Sequence, residues 1–244
     1  LTALPTRPQS RVPAGLYRPF FPAKDAPKSV PARAFDMDRR AVTNAEFAAF
    51  VKREPRWSRA KLSGLFADPG YLAHWRTEDD PGPSARAPVV AVSWFAARAF
   101  CAANNAKLPT IAQWERAAAA SATTADASRD PAHTASILKW YGEPRRDAHA
   151  PAAGQPNFFG IADLHGGVWE WVEDFNSAMA SGESRGGDTV DPALFCGGGS
   201  LGAADPSDYA AFMRAAFRAS LKARFTINNL GFRCVRELPS PGPK

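Results

Sequence analysis

The 244-residue sequence is poor in the residues that most often carry redox or metal chemistry. It contains only three cysteines and four histidines. No two histidines have the H-x-x-x-H spacing that places two imidazoles on one face of a helix, a common arrangement for a metal. An iron or zinc centre built on closely spaced histidines is therefore not predicted. The histidines are His74, His133, His149 and His165.

Long runs of one residue type are also absent. The net charge is +6, but the 30 lysines and arginines are spread along the chain with no run longer than two. This distribution favours a solvated basic surface and predicts no binding of nucleic acid. No apolar segment approaches the ~20 residues of a membrane span, so none is predicted. We interpret the start at Leu1, without a methionine, as the mature end of a processed protein or as a trimmed chain.

The sequence does contain 22 prolines and 18 glycines, which predict a fold rich in loops. Thr43 and Glu46 have the T-x-x-E spacing of a capping box, and Thr110 and Gln113 have the equivalent T-x-x-Q spacing. Ser93 precedes a third helical pattern. These signals predict three helices in the first half of the chain.

Short strands are predicted at residues 15–20, 89–92 and 225–237. Residues 121–135 are small and polar without a period, which is typical of a mobile loop. Residues 209–219 are compatible with a short helix or an exposed loop. Helices followed by short strands and long loops predict an α+β fold.

Five stretches occur in an order that resembles the formylglycine-generating enzyme family, also called the sulfatase-modifying-factor domain. They are RRAVTNAEFAAFV, PVVAVSWFAARAFCAANNAKLPTIAQWERAA, NFFGIADLHGGVWEWVEDF, GGGS and NNLGFRC. The resemblance covers residues 13–237 and leaves 1–12 as an N-terminal arm and 238–244 as a C-terminal tail. It implies one loop-rich domain of the C-type-lectin-like kind with little regular structure.

The authentic enzymes oxidise a substrate cysteine to formylglycine, and the resemblance implies a copper(I) site made of two cysteines just beyond the glycine-rich stretch. Thiolates suit copper(I) because both are soft. Here those positions are Ala203 and Asp208. Related ergothioneine-type enzymes use closely spaced histidines for iron, which this sequence also lacks. The sequence therefore predicts the family scaffold without the cysteine-to-formylglycine oxidase activity.

The resemblance also implies a structural disulfide between Cys101 and Cys234; the alternative is two buried reduced thiols. A disulfide predicts a periplasmic or secreted protein, because such bonds persist in oxidising compartments. Cys196 is then left over. It is either a reactive or copper-binding thiol, with Met213 and His165 as soft co-ligands, or a small buried hydrophobe.

A structural calcium is the second metal that the resemblance implies. Relatives use the region of the W-E-W run to hold it, which points to Glu170, with Gly167 standing where an asparagine is usual. Calcium requires six to eight oxygen ligands. The alternative is that Glu170 pairs with a buried arginine while the tryptophans belong to the core.

The family's substrate groove would be formed by residues near the glycine-rich stretch. Asp205 and Asp208 are either acid–base or cation-binding groups, or part of a solvated loop. Arg214, Arg218 and Arg233 are interpreted as buried guanidinium groups that tie loops together. The predicted groove residues are Ser200, Ala203, Asp205, Asp208, Tyr209 and Arg214.

Two functions are compatible with this pattern. The first is an exported accessory, maturation or ligand-binding protein of the kind that NirV and PvdO represent, linked to a copper or periplasmic metalloenzyme pathway. Its groove would bind a protein or a small molecule. The second is a metal-dependent oxidase of the same family whose copper or iron site has been relocated to Cys196.

Overall fold

A computed structural model describes residues 6–22, 27–142, 154–177 and 208–239. Five α-helices occur in these ranges, and none of them is long and apolar enough to cross a bilayer. They are α1 (Asn44–Arg53), α2 (Trp94–Ala103), α3 (Ile111–Ala118), α4 (Pro131–Gly142) and α5 (Tyr209–Ala219). Two short 3-10 helices span Pro55–Trp57 and Gly82–Arg86.

The strands are short and form small sheets. The seven strands of the described ranges are β1 (Gln9–Val12), β2 (Gly15–Tyr17), β3 (Val30–Ala32), β4 (Phe35–Asp38), β5 (Trp169–Glu170), β6 (Leu230–Gly231) and β7 (Val235–Glu237). The largest sheet is antiparallel with the order β1-β4-β7, β2 pairs with β3, and β5 runs parallel to β6. The fold is α+β and rich in loops, as predicted.

The main sheet joins the two ends of the chain. Strand β1 pairs with β4 in the register Gln9↔Asp38, and β7 pairs with the other edge of β4. The side chain of Val12 is fully buried. Residues 9–12, which the sequence assigned to an N-terminal arm, thus form an edge strand that pairs with β4 along its full length.

All three predicted helix starts are confirmed. Thr43 and Thr110 each accept a hydrogen bond from the backbone of the third helical residue, and the side-chain oxygens of Glu46 and Gln113 each accept one from the backbone N–H of the cap residue. Ser93 caps α2 through the backbone N–H of Ala96. Such reciprocal caps satisfy donors that the first helical turn leaves open.

Some of the predicted elements were wrong. Residues 89–92 are fully buried but form no strand, because Ala91 has a φ of 54° that interrupts an extended run. The single strand predicted at residues 225–237 is divided into β6 and β7. Helix α4 begins at Pro131, inside the predicted loop 121–135. Residues 209–219 form helix α5.

The disulfide between Cys101 and Cys234 is confirmed, with a Cα–Cα distance of 5.6 Å. It connects α2 to the segment immediately before β7. Next to it, the rings of Phe47, Phe100 and Phe232 pack with centroid distances of 5.4 to 6.1 Å. The bond therefore joins two distant parts of the sequence at the aromatic centre of the core.

Candidate functional site

A cavity of about 560 Å³ lies where β2, the residues just before β3, α3, α4 and one face of α5 meet. This volume falls within the range of sites for small organic molecules. Its charged lining is predominantly basic, with six cations against four carboxylates. The cations are Arg18, Lys28, Arg116, Arg129, Arg214 and Arg218, and the carboxylates are Glu115, Asp126, Asp174 and Asp208.

The inner wall contains a buried carboxylate shared by two arginines. On α5, Arg214 binds Glu115 of α3 through Nε at 2.9 Å and through Nη2 at 2.8 Å. Arg218, one turn further along α5, donates from Nη1 to the same carboxylate at 2.6 Å. Two cations thus face one anion, which leaves an excess positive charge beside the cavity.

The ionisation of Glu115 follows from this arrangement. Burial alone would oppose its charged form, but the charges and hydrogen bonds of Arg214 and Arg218 outweigh burial and lower the pKa of Glu115 to about 2. Burial likewise disfavours the charged form of Arg214, and Glu115 more than compensates, so that the pKa of Arg214 is raised. Glu115 and Arg214 therefore both stay charged at neutral pH.

Two histidines of the cavity have unused ring nitrogens. Nε2 of His165 lies 2.8 Å from the carbonyl oxygen of Ala118. Nδ1 of His165 and Nε2 of His133 are buried and have no hydrogen-bond partner. The two rings are 6.0 Å apart between centroids. Buried polar atoms of this kind are rare in folded proteins, and a missing ligand is one explanation for them.

Arg116 adds a third such atom. Its Nε is buried without a partner, although Nη1 donates to the carbonyl of Ala125 at 2.9 Å. Among the described residues, six buried side-chain atoms have no partner, and three of them belong to residues that line this cavity. Unsatisfied polar groups therefore concentrate at one place in the molecule.

Aromatic side chains form one rim of the cavity. Phe20 and Phe21, which line it, pack edge to face with a centroid distance of 4.7 Å. Phe20 also lies 6.2 Å from Phe212 of α5, which in turn stacks on Tyr209 at 5.8 Å. Leu16 continues this rim and is 60% exposed. The cavity thus combines an apolar edge with a basic interior.

Comparison with known proteins agrees with the motifs found in the sequence. Residues 5–238 match the family model described as a sulfatase-modifying factor enzyme 1-like domain. The chain belongs to this family. It is 31% identical to the formylglycine-generating enzyme of Streptomyces coelicolor, over 95% of this chain and 90% of that enzyme.

Two further comparisons concern one relative in sequence and one solved structure. The inactive C-alpha-formylglycine-generating enzyme 2 of Bos taurus is 28% identical, over 59% of this chain and 61% of that protein. The crystal structure of CarF superposes with a TM-score of 0.54 at 20% identity, covering 96% of this chain and 99% of that chain. The second similarity concerns the fold alone.

The resemblance predicts that the family's two copper-binding cysteines are replaced in this chain. The first of these predicted positions is Ala203, which lies outside the described residues, as do Ser200, Asp205 and Cys196. The other position is Asp208, whose Oδ1 accepts a hydrogen bond from the backbone of Ala211 at 2.8 Å and so caps α5. An alanine and a capping carboxylate do not provide the two thiolates that copper(I) requires.

The predicted groove and copper co-ligands are only partly brought together. Asp208 and Arg214 line the basic cavity, whereas Tyr209 is 55% exposed and lies outside its lining. His165 lines the cavity as well, but Met213 does not. In the described ranges, no group of three or more histidine, cysteine, aspartate or glutamate side chains is placed to hold a metal ion.

The contacts of the Glu170 carboxylate differ from those that the predicted calcium site requires. Its carboxylate accepts from Arg233 at 2.7 and 2.8 Å and from Trp114 Nε1 at 2.8 Å, and its side chain is 1% exposed. Both oxygens are thereby used. Gly167, the other predicted ligand position, is exposed. These contacts correspond to the alternative interpretation, a buried arginine partner, and do not fit a calcium ion.

Glu115 and His133 were not predicted as residues of a site. A signal for the first was present, since Arg214 and Arg218 are four residues apart and so lie on one helix face. Two arginines on a face that is otherwise alanine-rich predict burial, and burial requires an acidic partner. No comparable signal marked His133, because its neighbours in sequence carry no helical period.

Proposed function

We propose that this member of the formylglycine-generating enzyme family is an exported accessory or maturation protein that binds a ligand in its basic cavity and lacks the cysteine oxidase activity. The observation that carries the proposal is the use of its cysteines. Of three cysteines in the sequence, Cys101 and Cys234 are joined to each other. One thiol, Cys196, is left, so no pair of thiols exists for copper(I).

Three features support ligand binding as the retained function. The cavity has an excess of positive charge, an aromatic rim and a concentration of buried polar atoms without partners. Together these features favour a small organic anion with a flat apolar part. The disulfide supports export, because oxidising compartments preserve such bonds. A role in the maturation of a periplasmic metalloenzyme rests on the sequence resemblance alone.

Reversing one charge at the mouth of the cavity tests this proposal. Arg129 lines the cavity, is exposed and forms no salt bridge within the described ranges. We expect the wild-type protein to bind naphthoate, an aromatic carboxylate, and Arg129→Glu to weaken that binding by about tenfold, because attraction becomes repulsion. Fluorescence titration of naphthoate measures both dissociation constants.

The matched control is Arg56→Glu. Arg56 has a 75% exposed side chain and lies outside the cavity lining, so this variant makes the same change in net charge elsewhere. We expect it to bind naphthoate like the wild-type protein. Absence of binding to the wild-type protein, or an equal loss of affinity in both variants, would contradict the proposed function.

A further inference from the structure

One turn of the chain projects from the protein and carries two apolar side chains at its tip. It is closed by a hydrogen bond of 2.9 Å from the backbone N–H of Phe66 to the carbonyl of Ser63. Leu65 and Phe66 are 79% and 43% exposed. A Cβ atom at Gly64 would meet no other atom within 4 Å. This apolar turn, residues 63–66, therefore stands clear of the rest of the described chain.

The apolar turn continues into a row of aromatic rings on the protein surface. The ring of Phe66 packs on those of Trp57 and Phe95, at 6.3 and 5.3 Å between centroids. Phe95 in turn lies 5.4 Å from Trp94. All three of these further rings are partly exposed. Single exposed apolar residues are normal, but a continuous exposed patch, such as the turn and these rings form, marks a contact surface.

Basic side chains border the exposed patch. The guanidinium groups of Arg56 and Arg98 lie over its two tryptophans, 5.8 and 5.2 Å from the ring centres. In addition, the carbonyl of Arg224 accepts a hydrogen bond of 2.9 Å from the backbone N–H of Asp68, two residues after the turn. This contact brings the basic segment 222–224 beside the patch.

Positive charge is in excess along this border. Each carboxylate there lies 2.6 to 3.6 Å from an arginine. Lys61 and Lys222 are exposed and form no salt bridge within the part of the chain that the structure describes. The cations are Arg56, Arg59, Lys61, Arg98, Lys222 and Arg224, and the carboxylates are Glu54, Asp68, Glu78 and Glu173.

We propose that the exposed patch binds the surface of an anionic lipid bilayer. Leu65 and Phe66 enter the boundary between headgroups and acyl chains, while the ammonium groups of Lys61 and Lys222 contact lipid phosphates. A projecting tip suits a bilayer, whereas a bound peptide requires a groove or an open strand edge. A second copy of this chain would place two positive borders against each other, which is unfavourable.

This inference is independent of the ligand proposed for the cavity, because none of the residues of the patch or its border lines that cavity. Its test is sedimentation of the full chain with vesicles of phosphatidylcholine, with and without phosphatidylglycerol. We expect the wild-type protein to bind the anionic vesicles at least about tenfold more tightly than the neutral ones, because cations beside the apolar tip are attracted to anionic lipids.

Two variants separate the apolar part of this contact from the charged part. We expect Leu65→Ser to weaken binding to the anionic vesicles by about tenfold, the factor that burial of one leucine side chain contributes. We expect Lys61→Glu to weaken it by about twentyfold, since each positive charge near such a surface contributes about fivefold and the substitution changes two units of charge.

The matched controls are Phe158→Ser and Lys139→Glu. Phe158 is 54% exposed and Lys139 is exposed, and both lie outside the patch. We expect both controls to bind close to the wild-type level. Absence of wild-type binding to anionic vesicles, or equal losses in variants and controls, overturns the inference.

Thermal denaturation and gel filtration of Leu65→Ser test the other possible occupants of the patch. We expect the unfolding temperature and the elution volume to match those of the wild-type protein. A clear fall in unfolding temperature would show that Leu65 packs within the protein itself. Dissociation of a wild-type dimer would assign the patch to a second copy of the chain. Either result overturns the inference.

Discussion

Loss of the Cys101–Cys234 disulfide is expected to lower the free energy of unfolding by about 4–5 kcal/mol. The bond closes a loop between residues 133 positions apart, so it removes many conformations from the unfolded chain. Both cysteines are buried in the core, with exposures of 0% and 1%. A loss of this size is a large part of the stability of a typical domain.

The measurement is urea denaturation of the double variant Cys101→Ala/Cys234→Ala. Both cysteines are replaced together, because a single replacement would leave a thiol free to pair with Cys196. Cys196→Ala is the matched control, since it removes a thiol and keeps the disulfide. Equal unfolding midpoints for the double variant and this control would show that the bond does not stabilise the fold.

Replacement of Glu170 by glutamine is expected to destabilise the protein by about 3–5 kcal/mol, because it leaves a buried arginine without a counter-charge. The side chains of Arg233 and Glu170 are 0% and 1% exposed. Arg233 also donates to the carbonyls of Asp38 and Ala162, at 3.2 and 3.0 Å. The guanidinium group of Arg233 therefore cannot become exposed to water without breaking these contacts, which join separate segments of the chain.

An exposed ion pair supplies the control for this prediction. Glu237 pairs with Lys107 at 3.0 Å, and both side chains are more than half exposed. We expect Glu237→Gln to cost at most about 1 kcal/mol. The double variant Glu170→Leu/Arg233→Met should recover part of the loss, because it removes both charges. Equal losses for the Glu170 and Glu237 variants by urea denaturation would refute a structural role for the buried pair.

The helix starts were predictable because the interactions that cap a helix join residues close together in the sequence. The boxes at Thr43 and Thr110 connect a side chain with a backbone group three residues away, so a short window of sequence contains both partners. The strand predicted at residues 89–92 was wrong, because the conformation there depends on residues that are distant in the sequence. The burial and apolar character of residues 89–92 are typical of a strand, but the left-handed conformation of Ala91 is imposed by contacts with Leu72 and Ile227, far away in the sequence.

The cavity was less predictable than the helices. Glu115 and Arg214 are separated by 99 positions, and His133 and His165 lie on segments that only the tertiary fold brings together. The sequence identified Arg214 as buried but not its partner. For Glu170 the sequence left two interpretations open, and its contact with Arg233 corresponds to the structural one. A single sequence does not show which distant residues come into contact in the folded protein.

This chain has the scaffold of the formylglycine-generating enzyme family, and we propose that it lacks the family's oxidase chemistry. The most direct measurement is mass spectrometry of a CxPxR peptide incubated with the protein, copper(I) and oxygen, beside the Streptomyces coelicolor enzyme as a positive control. We expect the peptide cysteine to stay unchanged, because Ala203 and Asp208 provide no thiol pair. Conversion of that cysteine to formylglycine by this protein would contradict this proposal.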